Sequence, residues 1–251
     1  MTARPDPRWG RGDLTPVAIP VDGGARTLTA VARCPPAPTR GVVVLHELFG
    51  PQPEIGRVIE RFSQAGYAAI APDLFSAGAL RCVAQLTRAM RTGDGPAVDR
   101  IAAVRAWLCA ETGLAPDHIG LIGFCFGGGF ALAVGRGWGA ISANYGRLPA
   151  EAALAGLGPT IACFGARDRS LIGAGPALDA ALTRAGVPHE VHVVPDVGHS
   201  FLTDGHHPIA AACTAPLLRI GFDPAAAEAS WARIFAYFDH HLGAPRPGGP
   251  G

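Results

Sequence analysis

At 251 residues, with 49% hydrophobic and 16% charged residues and a net charge of +1, the chain has ample material for a two-sided core. It carries no basic block, which excludes nucleic acid and anionic membrane surfaces as expected partners, and its length fits one large α/β domain. No apolar stretch reaches spanning length and Met1 to Trp9 contain no apolar leader core, so the expected location is the cytoplasm. Six cysteines (Cys34, Cys82, Cys109, Cys125, Cys163, Cys213) are scattered without a Cys-x-x-Cys pair, and a chain of this size needs no disulfide scaffold. Cys34, Cys109 and Cys163 sit in apolar surroundings and read as small buried residues.

In chain order, residues 1–13 are poor in apolar side chains and read as disordered, as does the Gly/Pro-rich tail 243–251. Residues 14–242 read as one domain. Pro16 to Pro20 and Thr27 to Arg33 are expected strands of a hairpin turning at Asp22-Gly23-Gly24. Continuous apolar runs follow at Gly41 to His46, Ala68 to Ala71, Ile119 to Ile122, Ala140 to Ala143, Thr160 to Phe164 and Val191 to Val194. Unbroken rather than alternating hydrophobicity predicts strands buried on both faces, as in a parallel sheet covered by helices. Between them, Glu54 to Gln64, Ala97 to Cys109, Leu171 to Ala185 and Ala225 to Leu242 carry helical spacing or helix stops. The alternation predicts a doubly wound α/β domain, with chemistry at loops beyond the carboxyl ends of the strands.

One of those loops is Gly123-Phe124-Cys125-Phe126-Gly127-Gly128-Gly129. It has the form of a strand-to-helix nucleophile elbow with cysteine in the nucleophile position. The glycines are needed because the turn is too tight for side chains, and the sulfur would lie at the N-terminus of a helix from about Gly128 to Val134, where thiolate is favoured. A thiol nucleophile wants an imidazole to manage its proton, and the imidazole a carboxylate to fix its tautomer. Asp168 and His199 follow successive later strands in that order. The plainer readings are a helix N-cap for Asp168 and a satisfied loop histidine for His199. Asp196 is a rival acid that reads better as a turn former. Glu47, ending a buried strand near where an oxyanion loop should lie, reads either as a group near the nucleophile or as a buried acid tied to an arginine.

Gly-Phe-Cys-Phe-Gly-Gly, His46-Glu47-Leu-Phe-Gly50, Gly165-Ala-Arg-Asp168 and Gly198-His199-Ser-Phe201 together resemble the dienelactone hydrolase family, over roughly residues 16–242. The resemblance implies an α/β-hydrolase fold, with a mostly parallel sheet, helices on both faces and an N-terminal antiparallel hairpin. It implies a cofactor-free, metal-free hydrolase of small lactones or esters. Cys125 would be its nucleophile, His199 its base and acid, Asp168 the orienter, and Glu47 a group that helps deprotonate the thiol when substrate binds. The topology assigns the oxyanion hole to the backbone N–H groups of Leu48 and Phe126. Family members that cleave dienelactone bind its carboxylate with an arginine shortly after the catalytic histidine; Thr203 stands there in this chain, and Asp204 follows it. The expected substrates are therefore lactones or esters in general rather than dienelactone itself. Thr203, Phe49, Tyr145 and Arg81 are candidate substrate contacts, with Arg88 and Arg91 as further candidates to compensate for the missing arginine. His206-His207 and His240-His241 read as loop and helix-end residues rather than metal ligands. A monomer or small homo-oligomer is expected. The rival reading is a non-hydrolytic ligand-binding or redox-responsive thiol protein on the same fold.

Overall fold

The hairpin forms as its turn residues require. Strands β1 (Thr15–Val21) and β2 (Arg26–Arg33) pair antiparallel, joined through Gly23 and Gly24 at φ of +69° and +87°. A computed structural model describes residues 7–10, 13–48, 50–76, 79–204 and 219–243. The remaining strands are β3 (Arg40–Leu45), β4 (Tyr67–Pro72), β5 (Ile119–Phe124), β6 (Ala140–Asn144), β7 (Thr160–Gly165) and β8 (His189–Val194). They join the hairpin in one eight-stranded sheet of order β1-β2-β4-β3-β5-β6-β7-β8. β2 meets β4 antiparallel, and every pairing from β4 to β8 is parallel. The winding reverses at β3, whose neighbours are β4 on one side and β5 on the other. The crevice beyond the carboxyl ends of β3 and β5 is thus the place where such sheets bind ligands.

The continuous apolar runs are the strands buried on both faces. Val42 and Val44 point to one face, Val43 and Leu45 to the other, as the pleat dictates. Helices α1 (Pro53–Gln64) and α6 (Pro224–His241) cover the first face with Ile59, Phe62, Trp231, Ile234 and Phe238. Helices α2 (Ala79–Thr92), α3 (Pro96–Thr112), α4 (Phe126–Val134) and α5 (Ala174–Arg184) cover the second with Leu86, Val104, Phe130 and Leu182. No helix among the described residues is long and apolar enough to cross a membrane.

Four expectations change. β8 is only partly buried, with His189, Glu190 and His192 among its residues, because it is the last strand and has a neighbour on one side only. The helix expected from Leu171 starts at Ala174, because Gly173 takes φ +75° and separates it from a short turn at Arg169–Leu171. Trp9, in a stretch read as disordered, is 4% exposed and packed in the core. Its carbonyl lies where a Cβ on Gly56 of α1 would sit. Cys34 is exposed rather than buried, since Pro35 and Pro36 end β2 beside it and carry the chain out of the sheet. Of the two terminal stretches, residues 1–6, 11–12 and 244–251 lie outside the described residues.

The elbow helix approaches the sheet so closely that a Cβ on Gly127 would lie 2.5 Å from the Leu45 carbonyl oxygen and 2.6 Å from that of His46. Gly127→Ala is therefore expected to destabilise the fold by about 2–3 kcal/mol or more, since backbone cannot yield as a side chain can. Urea denaturation checks this, and a variant within about 0.5 kcal/mol of the parent would show that the approach is not obligatory.

Candidate active site

β5 runs fully buried into Cys125, which takes φ +53° and ψ −116° before α4 begins at Phe126. The helix starts at Phe126, two residues earlier than its glycine-rich sequence indicates. Cys125 is thereby its N-cap residue, and the first N–H groups of α4 lack intrahelical acceptors. A positive φ on a residue with a side chain persists only where the surroundings hold it. Here Cys125 N–H donates to the Asn144 carbonyl at 3.0 Å, and the Cys125 carbonyl accepts from Gly128 N and Gly129 N at 3.0 and 3.2 Å. Beneath the turn, Asn144 Nδ2 donates to the Gly123 carbonyl at 3.1 Å and to Ser142 Oγ at 3.0 Å. A Cβ on Gly123 would lie 2.0 Å from the Gly127 oxygen, so glycine alone fits there. The thiol itself is partly exposed.

Asp168 and His199 meet although they lie on loops after different strands. His199 Nδ1 is 2.6 Å from Asp168 Oδ2, with both side chains almost fully buried. Asp168 is also the helix cap that its position allowed: Oδ1 accepts from Ser170 N at 2.9 Å and Ser170 Oγ at 2.6 Å. One carboxylate thus does both jobs, one oxygen for each. Asp196 turns the chain at φ +63° and bonds Arg167 at the surface, away from the imidazole. Burial works against a charged His199, yet the hydrogen bond to Asp168 and the neighbouring Cys125 lift its pKa to about 10. Burial likewise acts against the Asp168 carboxylate, and the His199 and Ser170 hydrogen bonds outweigh it and hold its pKa below the usual range. His199 Nε2 is buried without a hydrogen bond of normal geometry among the described residues. The Cys125 sulfur lies close enough to act on the imidazole.

Glu47 is held by hydroxyls rather than by an arginine. Its Oε1 accepts from Ser200 Oγ at 3.3 Å and from Thr203 Oγ1 at 3.5 Å. Thr203 Oγ1 lies 3.1 Å from the Tyr145 hydroxyl. Thr203 and Tyr145 are 2% and 0% exposed. These two candidate substrate contacts are therefore buried behind Glu47 rather than lining an open pocket. Burial raises the Glu47 pKa, against the pull of His199 and the two hydroxyls, and burial pushes the Tyr145 phenol well above its ordinary range, keeping it a donor. The Tyr145 ring packs 5.1 Å from the His199 ring. Leu48, assigned to the oxyanion hole, is 46% exposed at the head of the site. Phe49 and the Arg81 side chain lie outside the described residues. Arg88 is at the far end of α2, paired with Asp94, and Arg91 is exposed near the same end.

Three residues escaped the sequence reading. Asn144 and Ser142 form the polar floor of the elbow, and His46 joins the loops after β3 and β4. A polar residue within an apolar strand was the available signal for the first two; for His46 it was the pair His46-Glu47 itself. Among the described residues no group of three or more His, Cys, Asp or Glu side chains lies together as a metal site. His240 and His241 end α6, and His206-His207 lie outside the described residues. A cavity of about 580 Å³ between α1 and α6 is lined by Arg57, Arg61, Leu202 and Asp204, and by none of the four candidate catalytic residues.

The chain is similar to known proteins over most of its length. A carboxymethylenebutenolidase of Rhodococcus opacus is 27% identical over 222 residues, 80% of this chain and 81% of that one. A dienelactone hydrolase-like promiscuous phosphotriesterase from metagenomic libraries superposes with a TM-score of 0.72 at 25% identity, covering 92% of this chain and 100% of that one. The dienelactone hydrolase of Anabaena variabilis shares the fold at a TM-score of 0.62 and 22% identity, over 92% and 100% of the two chains. The eight-stranded sheet with its N-terminal antiparallel pair is an α/β-hydrolase fold. The family model of the dienelactone hydrolases matches residues 28–242, and the chain belongs to that family of hydrolases.

Proposed function

We propose that the chain hydrolyses an uncharged lactone or small ester through a covalent thioester on Cys125. The observation that carries this reading is that Asp168 holds His199 Nδ1 at 2.6 Å, which leaves Nε2 buried without a hydrogen bond among the described residues and the imidazole within the influence of Cys125. In the first step the thiolate attacks the carbonyl carbon, forming the S–C bond, and the oxyanion takes hydrogen bonds from the N–H groups of Leu48 and Phe126. As the C–O bond breaks, the leaving alkoxide takes the proton of the His199 imidazolium. In the second step neutral His199 removes a proton from water, hydroxide adds to the thioester, and the C–S bond breaks to restore thiolate and imidazolium.

The preference for an uncharged acyl group follows from Thr203, which has no charge with which to grip a carboxylate. The nearby guanidinium of Arg57 is engaged by Glu54 and by the Asp204 carbonyl, and the Asp204 side chain is itself acidic. A thiol reserved for redox sensing or simple ligand binding would not require the Asp168–His199 pair to face it.

Cys125→Ala is expected to lower kcat/KM for p-nitrophenyl acetate by roughly a thousandfold or more, as loss of a nucleophile does. Retained turnover would end the proposal, and reversible oxidation of Cys125 without ester turnover would favour the redox reading. Matched neutral and carboxylate-bearing esters separate the substrate classes: the neutral one is expected to be at least about tenfold better, since uncompensated like charge costs several kcal/mol. Equal rates would show that a cation reaches the acyl group. The His199 proton sets the sign of a pH effect. The unfolded side chain loses it near pH 6.5 and the folded one near 10, so its contribution to stability is complete below 6.5 and declines as pH rises towards 10. Urea midpoints should fall across that window, and less steeply in His199→Gln; parallel profiles would show that His199 holds no such proton.

A further inference from the structure

We propose that His46 is a positioning residue for the oxyanion site: by clamping the Glu47 carbonyl it aims the Leu48 N–H towards the reacting carbonyl of the substrate. The inference rests on the Cys125 reading above and concerns how that site stabilises charge.

The tautomer of His46 follows from its two partners. Nε2 lies 3.0 Å from the backbone N–H of Leu74, which can only donate, so Nε2 accepts. The ring proton is therefore on Nδ1, which lies 2.7 Å from the Glu47 carbonyl oxygen and donates to it. The ring is 0% exposed, between Trp9 and Phe75 at centroid distances of 6.5 and 5.2 Å. Burial lowers its pKa to about 4, outweighing the opposing pull of the Glu47 carbonyl and Asp73. The neutral tautomer is thus the form that the fold holds.

The Glu47 carbonyl accepts a second bond, from Gly50 N at 3.1 Å, with Gly50 at φ +83°. Two donors from different directions fix the plane of the peptide between Glu47 and Leu48. The described chain has no cis peptide, and in a trans peptide the C=O and the following N–H point in opposite directions. Leu48 N–H accordingly points away from the imidazole. The facing element is the elbow. Leu45 of β3 is paired with Gly123 of β5, so the peptide two residues beyond Leu45 stands level with Cys125. The carbonyls of Leu45 and His46 lie against Gly127. A ring that never touches substrate would in this way set the direction of a donor that does.

An oxyanion donor matters only where an oxyanion forms, and this separates positioning from general support. Attack of Cys125 on p-nitrophenyl acetate passes through a tetrahedral oxyanion. Alkylation by iodoacetamide forms the S–C bond at a saturated carbon and expels iodide without one. His46→Ala is expected to lower kcat/KM for the ester about a hundredfold, mainly in kcat, as loss of one oxyanion donor does. Alkylation of Cys125, followed by peptide-resolved mass spectrometry, is expected to stay within about twofold of the parent rate. His46→Asn, whose amide can donate from near the Nδ1 position, is expected to recover about tenfold of the loss. Ester turnover and alkylation falling together would overturn the proposal, since His46 would then only support the site. Unchanged ester turnover in His46→Ala would overturn it as well. Retained turnover in Cys125→Ala is a separate result: it ends the nucleophile reading and this proposal with it, whereas loss of turnover in Cys125→Ala with unchanged turnover in His46→Ala ends this proposal alone.

Discussion

At Cys125 the backbone passes from strand to helix through φ +53°, a conformation that disfavours a residue with a side chain by about 1–3 kcal/mol. Everything placed around the thiol follows from keeping that turn. Five of its neighbours must be glycine, because Cβ atoms on Gly123, Gly127, Gly128, Gly129 and Gly146 would each come within 2.6 Å of backbone. Close approach then brings the end of β3, with the Leu45 and His46 carbonyls, against the first turn of α4. The Ser142–Asn144 pair fills the hydrogen-bonding needs that the sharp turn leaves under the sheet. The strain is borne by the central strands, where buried β5 is paired with β3 on one side and β6 on the other.

The same scaffold drives two buried histidines in opposite directions. Burial disfavours the charged form of both. His46 is partnered by backbone, one donor and one carbonyl, which suit a neutral ring, and its pKa falls to about 4. His199 faces a carboxylate and a thiol, and its pKa rises to about 10. The separation comes from partner chemistry rather than depth. It gives one imidazole a fixed geometric task and leaves the other a proton to exchange.

The fold was legible where one local signal decides the structure. Unbroken apolar runs marked the inner strands, and glycines marked the elbow and the ends of α1 and α5. Legibility failed where a distant partner decides. β8 has the apolar run of an inner strand but lies at the edge of the sheet. Trp9 is ordered by a groove that Gly56 opens on a helix more than forty residues later. Asp168 and His199 were readable from their order along the chain, whereas Asp168's second role as a cap was read as a competing explanation. Thr203 reads as a substrate contact because it stands where the resembled family carries its arginine, and Tyr145 because it follows a strand. Which way each side chain turned depended on the partner it found: Thr203 turns to Glu47, 156 residues upstream, and Tyr145 turns to Thr203.

Replacing a guanidinium by hydroxyls changes the charge balance of the site as well as its shape. A carboxylate bonded to arginine is stabilised as an anion, whereas hydroxyl donors offset only part of the desolvation. Burial therefore prevails and the Glu47 pKa is raised. Asp168 and His199 already compensate each other at 2.6 Å. Among the described residues, Arg57 of α1 is committed to Glu54 and Asp204 and Arg61 to Glu228. An anionic acyl group would enter a site whose positive charge is already spoken for, beside a carboxyl group that gains nothing from its arrival. On the proposed reading, an uncharged carbonyl asks only for N–H donors at its oxygen, the part assigned to the elbow and the loop after β3.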